Sequence, residues 1–223
     1  MATRLAAGGD QTFVVWPDAD GRPIFDIRGN TFISFSDPTV GTVPADGGVG
    51  TISAGLSHSL LLTNDGQVLG AGRDDFGQIG ARTNLGNTNP NSFGVLGTAV
   101  TVAAGGWHSL LLQRDGTVLA LGRNTSGQLG TVDGNLTDAT HPAPTPVPGL
   151  TDISAIAAGI GHSVAVRRDG TVWTWGSNAF GELGRATNNG LNAANPAATA
   201  SSARSTSPST RMSVATQRGA SRR

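Results

Sequence analysis

Three histidines occupy equivalent places in three stretches of this chain: His58, His108 and His162 each follow a glycine by three positions and each precede a serine. An imidazole titrates near neutral pH and is the commonest metal ligand, so these are the first candidates for a metal site or a general base. Seven residues beyond each stands an aspartate, Asp65, Asp115 and Asp169, which completes the residue types of a Ser, His and Asp nucleophilic set. The spacing argues the other way. The groups recur at intervals of 50 and then 54 residues, so each belongs to its own structural unit and is repeated because every unit needs it. Each imidazole is expected to pack near the inner turn of its unit and bond backbone groups, and each aspartate to serve a turn. No catalytic, cofactor-binding or metal-binding residue is therefore assigned, and no cofactor is expected.

The elements around them read as an antiparallel meander. The three clear units are ISAGLSHSLLLTNDGQVLGAGRDDFGQIG from Ile52, VAAGGWHSLLLQRDGTVLALGRNTSGQLG from Val102 and IAAGIGHSVAVRRDGTVWTWGSNAFGELG from Ile156. A short apolar strand leads into a glycine turn, His-Ser opens a second strand, and Asp-Gly ends it. Asp-Gly is a strong hairpin signal and predicts a type I′ turn with positive φ at both central positions. A third strand follows, at Val68 to Ala71, Val118 to Leu121 and Val172 to Trp175, and a glycine-rich Gly-x-x-x-x-Gly-[Gln/Glu]-[Leu/Ile]-Gly stretch closes the unit. Polar connectors, clearest at His141 to Pro148, are long enough for a fourth, outer strand. His141 itself, isolated beside Pro142, is expected to be exposed. A degenerate unit opens the chain from Leu5, with Gln11 where the others carry His. The reading is an all-β propeller of four-stranded antiparallel blades, about four units, a partial propeller.

The recurring A-G-x-x-H-S-L-L-L-x-x-D-G-x-V-L-x-x-G-R-x-x-x-G-Q-L-G pattern resembles the regulator of chromosome condensation repeat, whose members form rings of about seven blades. It is unlike kelch units, which centre on paired glycines with Tyr and Trp, and unlike the shorter WD repeats. The resemblance covers residues 52 to 184 well and 5 to 50 poorly. The domain reading is accordingly 1–184 for the repeats (5–51 degenerate; 52–101, 102–155 and 156–184 clear) and 185–223 for a disordered basic tail. Four units fall short of the family's ring, so the chain is expected to be a fragment, with a small ring or a two-copy assembly as alternatives. Open blade edges would then favour self-association.

Charge and composition narrow the partners. Residues 185–223 hold six of the fifteen Lys and Arg residues and none of the fifteen acidic ones, which leaves nine basic against fifteen acidic, about minus six, on residues 1–184. Such a body is a poor nucleic-acid surface, and only the basic tail could bind one. MSVATQRGAS from Met212 resembles a decayed start of another unit. With no Cys, disulfides and thiolate chemistry are excluded. No stretch is long enough for a membrane span, and no signal peptide is visible. The chain as written reads as cytoplasmic, or extracellular if its start is incomplete. Asn124 and Asn135 open sequons that matter only in a glycosylating pathway.

Function is sought where the units differ. In a meander, the turn after the first strand and the loop after the third lie at one end of a blade. That end carries Leu56-Ser57, Gly106-Trp107 and Ile160-Gly161 beside Asp74-Asp75-Phe76, Asn124-Thr125-Ser126 and Asn178-Ala179-Phe180. Trp107 stands where other units have Ser57 and Gly161, so the repeat does not explain it. Two readings stand: an interface anchor, or a ring packed on a neighbouring blade. Of Trp173 and Trp175, at alternate strand positions, at least one belongs to the core. The candidate protein-binding set is Trp107, Phe76, Phe180, Asp74, Asp75, Asn124 and Asn178, on a non-enzymatic interaction module of bacterial type with an unknown protein partner. The family resemblance implies two alternatives. One is nucleotide exchange on a small GTPase, as in the eukaryotic founder, although no segment matches the wedge that activity uses. The other is a secreted propeller-type inhibitor of an enzyme such as beta-lactamase, whose aromatic contacts resemble Trp107 and the Phe76 loop. The family's plant photoreceptor uses repeated Gly-Trp-Arg-His, which this chain lacks.

Overall fold

The computed structural model describes residues 4–9, 11–17, 19–20, 23–29, 48–80, 89–131, 139–184 and 195–200. They form four antiparallel sheets. Blade 1 is β1 (Arg4–Gly8), β2 (Gln11–Pro17) and β3 (Pro23–Gly29); blade 2 is β4 (Val49–Ala54), β5 (His58–Thr63), β6 (Gln67–Gly72) and β7 (Asn89–Thr98). Blade 3 is β8 (Thr101–Ala104), β9 (His108–Leu112), β10 (Val118–Gly122) and β11 (Thr145–Pro146), and blade 4 is β12 (Ile153–Ala158), β13 (His162–Arg167), β14 (Val172–Gly176) and β15 (Asn195–Ala200). Strand order follows chain order in every sheet, as a meander requires, and the first strands of the blades lie side by side at the centre. This is a propeller arrangement.

The second strand of each blade reads as an unbroken apolar run because both of its faces are buried. On β5, Leu60 and Leu62 join Val102, Leu111 and Leu121 of blade 3, while Leu61 turns the other way to join Phe13 and Val15 of blade 1. On β9 the alternation repeats: Leu111 faces blade 2, and Leu110 and Leu112 face Ala165 and Trp175 of blade 4. Each junction is thus its own small core, filled by alternate residues of two neighbouring strands. Trp175 is fully buried and donates its Nε1–H to the Gln128 carbonyl at 2.8 Å, while Trp173 is half-buried with Arg167 over its ring.

Three expectations need correction. The Asp-Gly hairpins are not type I′: only the glycines have positive φ, at 90° for Gly66, 84° for Gly116 and 86° for Gly170. Each loop is a type I turn closed by one left-handed glycine, with Gly66 N donating to Thr63 O, Gly116 N to Gln113 O and Gly170 N to Arg167 O. The aspartates keep ordinary backbone angles and act through their carboxylates instead. Asp115 Oδ1 accepts from Thr117 N at 2.9 Å, Asp169 Oδ1 from Thr171 N at 2.8 Å, and Asp65 from the Thr63 hydroxyl. These bonds hold all three carboxyls below the usual range.

The second correction concerns the boundary at Gly184. Residues 195–200, assigned to the tail, form the outer strand of blade 4 and pair with β14. The rest of the expected tail, 185–194 and 201–223, and the decayed unit from Met212 lie outside the described residues, as does Asn135. Third, His141 is half-buried rather than exposed. Its N–H donates to Phe76 O at 3.0 Å, its carbonyl accepts from Gly122 N at 2.8 Å, and its ring Nδ1 lies 3.1 Å from Gly122 O. It ties the outer segment of blade 3 to the loop of blade 2.

Candidate functional site

The repeated histidines link blade to blade. His58 Nε2 lies 3.0 Å from Ser109 Oγ in the next blade, and Ser109 Oγ donates to the Gln78 carbonyl at 2.7 Å. The next junction repeats this, with His108 Nε2 at 2.9 Å from Ser163 Oγ and Ser163 Oγ donating to Gln128 O at 2.8 Å. Because the hydroxyl has one proton and gives it to the carbonyl, it must accept from the imidazole, which fixes Nε2 as the protonated nitrogen. Burial lowers His58 to about 4, against an opposing backbone contact from His108. It lowers His108 to about 3, helped by repulsion from His58 and His162. Both rings are neutral struts at neutral pH. Glycine precedes each because the ring lies against its Cα: a Cβ on Gly105 would sit 2.3 Å from His108 Cε1, and one on Gly159 would sit 2.1 Å from His162 Cε1. His162 is half-buried, since no described blade follows it.

The loop after the third strand has a fixed interior. Asp74, Asn124 and Asn178, expected on the contact surface, are instead buried at 6%, 3% and 5% exposure. Their Oδ1 atoms accept from the backbone N–H five residues on: Ile79 at 2.9 Å, Leu129 at 3.0 Å and Leu183 at 3.1 Å. Gln78, Gln128 and Glu182 complete the brace by accepting from Phe76 N, Ser126 N and Phe180 N. These residues set the loop's shape, and a short Asp or Asn five residues before the braced amide is the signal that could have revealed it. The same bonding buries the Asn124 amide that its sequon would offer for glycosylation.

What remains displayed is a smaller group. Phe180 is 93% exposed and Ile160 63%, while Trp107, Phe76 and Asp75 are half-buried. Arg123 brings two of them together, its guanidinium 4.9 Å from the Phe76 ring centroid and 5.3 Å from that of Trp107. Such stacking is worth about 0.5–1 kcal/mol at an exposed site. Asp75 pairs with Arg73. Across the junction of blades 3 and 4 lies a cavity of about 430 Å³, lined by Trp107, Arg123, Ile160, His162, Phe180 and Glu182 among others. Arg123 was not named from the sequence, because Arg at that position also occurs in blade 2, and Ile160 was placed at this end of the blade without being counted among the candidate contacts. Among the described residues, no group of three or more His, Asp or Glu could hold a metal ion.

Residues 65–112, 115–166 and 169–210 match the sequence profile of the regulator of chromosome condensation (RCC1) repeat, and a second profile of the same repeat matches 51–78, 99–128 and 153–182. The chain belongs to this family. It is 31% identical over 140 residues to Protein pim1 of Schizosaccharomyces pombe, which covers 63% of this chain and 19% of that protein. Among solved structures it is similar to human WBSCR16, with a TM-score of 0.71 and 23% identity over 90% of this chain and 54% of that one. It is also similar to Prp20p of Saccharomyces cerevisiae, a protein described as binding Gsp1p and histones, with a TM-score of 0.65 and 24% identity over 88% and 49%. The RCC1-type propeller fold is shared with both. The chain spans about half the length of these structures and a fifth of the curated relative.

Proposed function

We propose that this chain is a non-enzymatic protein-interaction module whose contact surface is the loop end around Trp107, Phe76, Asp75 and Phe180. The observation that carries the reading is the exposure of Phe180 and Ile160 beside a half-buried Trp107, around one cavity. These aromatics vary between units at places where the backbone repeats, and none of them is needed by the histidine struts or the loop braces. Asp74, Asn124 and Asn178 support the surface from beneath. The acidic body favours a basic or mixed-charge partner surface. The test is capture from the source organism by the intact chain, compared with Phe180→Ala and Trp107→Ala. A partner lost with both variants, and kept when Asp115 at the opposite end is changed to Ala, supports the surface. A partner retained by both variants refutes it.

The relatives favour a second reading, regulation of a small GTPase, since Prp20p binds Gsp1p. Release of a fluorescent guanine nucleotide from a purified GTPase of that kind, with and without this chain, separates the readings. Catalysed release would replace the first with the second.

A further inference from the structure

Neighbouring junctions fill the same place in the repeat differently. Three positions are equivalent by their backbone bonds: Arg123 N donates to Trp107 O and Ser177 N to Gly161 O, both at 2.8 Å, while Phe76 N and Ser126 N each donate to the side chain of the Gln two residues on. Between blades 2 and 3 these positions hold Phe76, Arg123 and Trp107, with the guanidinium 4.9 Å and 5.3 Å from the two ring centroids. Between blades 3 and 4 the same positions hold Ser126, Ser177 and Gly161. All three large side chains are absent together, and Ser126, Ser177 and Gly161 border the cavity of about 430 Å³. Trp107 and Arg123, which complete the filled slot on one side, wall the empty one on the other. Ile160, at 63% exposure, faces them from blade 4, its Cγ2 lying 3.1 Å from where a Cβ on Gly106 would stand. The slot lies between two described blades and is bounded on both sides whatever follows blade 4.

Charge decides what fits. The lining carries one charge of each sign, Arg123 and Glu182, and the Glu182 carboxylate already accepts from Phe180 N and the Ser177 hydroxyl. A cation entering here meets Arg123, and an anion meets Glu182 on a body that is acidic overall. A neutral ring meets neither penalty: its face is attracted to the guanidinium, and it can stack in offset fashion on the indole. The filled junction shows that combination within the chain, with Phe76 on Arg123. We infer that the slot receives a tyrosine side chain of a protein partner, its ring against Arg123 and Trp107 and its hydroxyl beside those of Ser126 and Ser177. This rests on the interaction role proposed above and names what that surface recognises.

Titrating the full chain with N-acetyltyrosinamide, followed by NMR chemical shifts, tests this. The Trp107 indole N–H and the Gly161 and Ser177 amides should shift with a Kd on the order of 1 mM, the range expected for so small a ligand. N-acetylleucinamide and N-acetylargininamide should bind at least tenfold more weakly. Ser126→Phe, Ser177→Arg and Gly161→Trp together rebuild the filled stack of the neighbouring junction, and should abolish the shifts while the melting temperature holds or rises. Should that triple variant fail to fold, Ser177→Arg alone carries the same test. No shift with the tyrosine compound overturns the inference, including the case in which residues 132–138 of this chain already occupy the slot. Equal binding of the leucine or arginine compound overturns it too, as do shifts that survive refilling. A protein partner captured as well by the refilled chain as by the wild type overturns the slot and leaves the loop-end surface standing. A chain that captures no partner but takes the tyrosine compound selectively keeps the slot's chemistry and removes the interaction role.

Discussion

Acid should unfold this propeller through its struts before its carboxylates respond. His58 and His108 lie at about 4 and about 3 in the folded chain, against 6.5 for a free imidazole. A folded-state value below the unfolded one means that the unfolded chain binds protons first as pH falls. The stability these rings contribute is therefore complete above pH 6.5 and is lost progressively below it. At pH 5 the unfolded rings are almost wholly charged and the folded ones almost wholly neutral, so each costs about 2 kcal/mol, or about 4 kcal/mol together. The geometry agrees: each Nδ1 is buried without a hydrogen-bond partner, so charging the ring would place an N–H where no acceptor waits. Asp65, Asp115, Asp169 and Glu182 are shifted down, so their contribution is intact above the usual carboxylate range and fails only below it. Denaturant titrations followed by tryptophan fluorescence at pH 5, 6 and 7.5 measure the loss. His108→Gln, which places an amide donor where blade 1 already carries Gln11, should remove about half of the slope. Stability that stays within about 0.5 kcal/mol from pH 7.5 to 5 would refute neutral, buried struts and the bonding assigned to them.

Gly105→Ala drives a methyl into the His108 ring and should cost on the order of 3 kcal/mol, whereas Gly161→Ala, whose Cβ would meet only Ser177 at 3.4 Å, should be nearly neutral in the same denaturant assay. Ser163→Ala removes the bridge between His108 and the Gln128 carbonyl and should destabilise by about 1–3 kcal/mol, with the loss read as a lower unfolding midpoint. Phe180→Ala should leave stability within about 0.5 kcal/mol. Trp107→Ala should cost roughly 2 kcal/mol of partner binding if the ring is an anchor, and a stability loss of about 3 kcal/mol or more would instead make it core.

The propeller was legible because its signals are local and repeated. An apolar run ending at Asp-Gly marks a hairpin whichever turn type closes it, and the period of about 50 residues sets how many follow. The turn type was not legible, since a type I turn with one left-handed glycine and a type I′ turn both place glycine last. His141 escaped for a different reason: its bonds run to Phe76 and Gly122, one of them in another blade, and nothing near it in the chain announces them. The candidate site was half legible. Trp107 stood out by failing to repeat, and Phe76 and Phe180 as aromatics at one loop position that blade 3 fills with Ser126, but Asp74, Asn124 and Asn178 were grouped with them because loop position alone cannot separate a side chain that faces solvent from one that folds back to an amide five residues on.

The repeated residues are better understood as one constraint than as several. The serine is present because a carbonyl of the preceding blade needs a donor; the histidine because that serine, its proton spent, needs one in turn. The glycine is there because the imidazole lies across the turn and leaves no room for a Cβ, and the Gln or Glu of the loop braces the turn whose carbonyl receives the serine. Losing one member releases the others, and blade 1 illustrates it: with Gln11 in place of histidine, Ser59 stands without its donor. Positions outside this chain of dependence are free to differ from blade to blade. Trp107, Phe180 and Ile160 occupy such positions, at the rim of the same cavity, which is why the binding reading rests on them and not on the histidines that first drew attention.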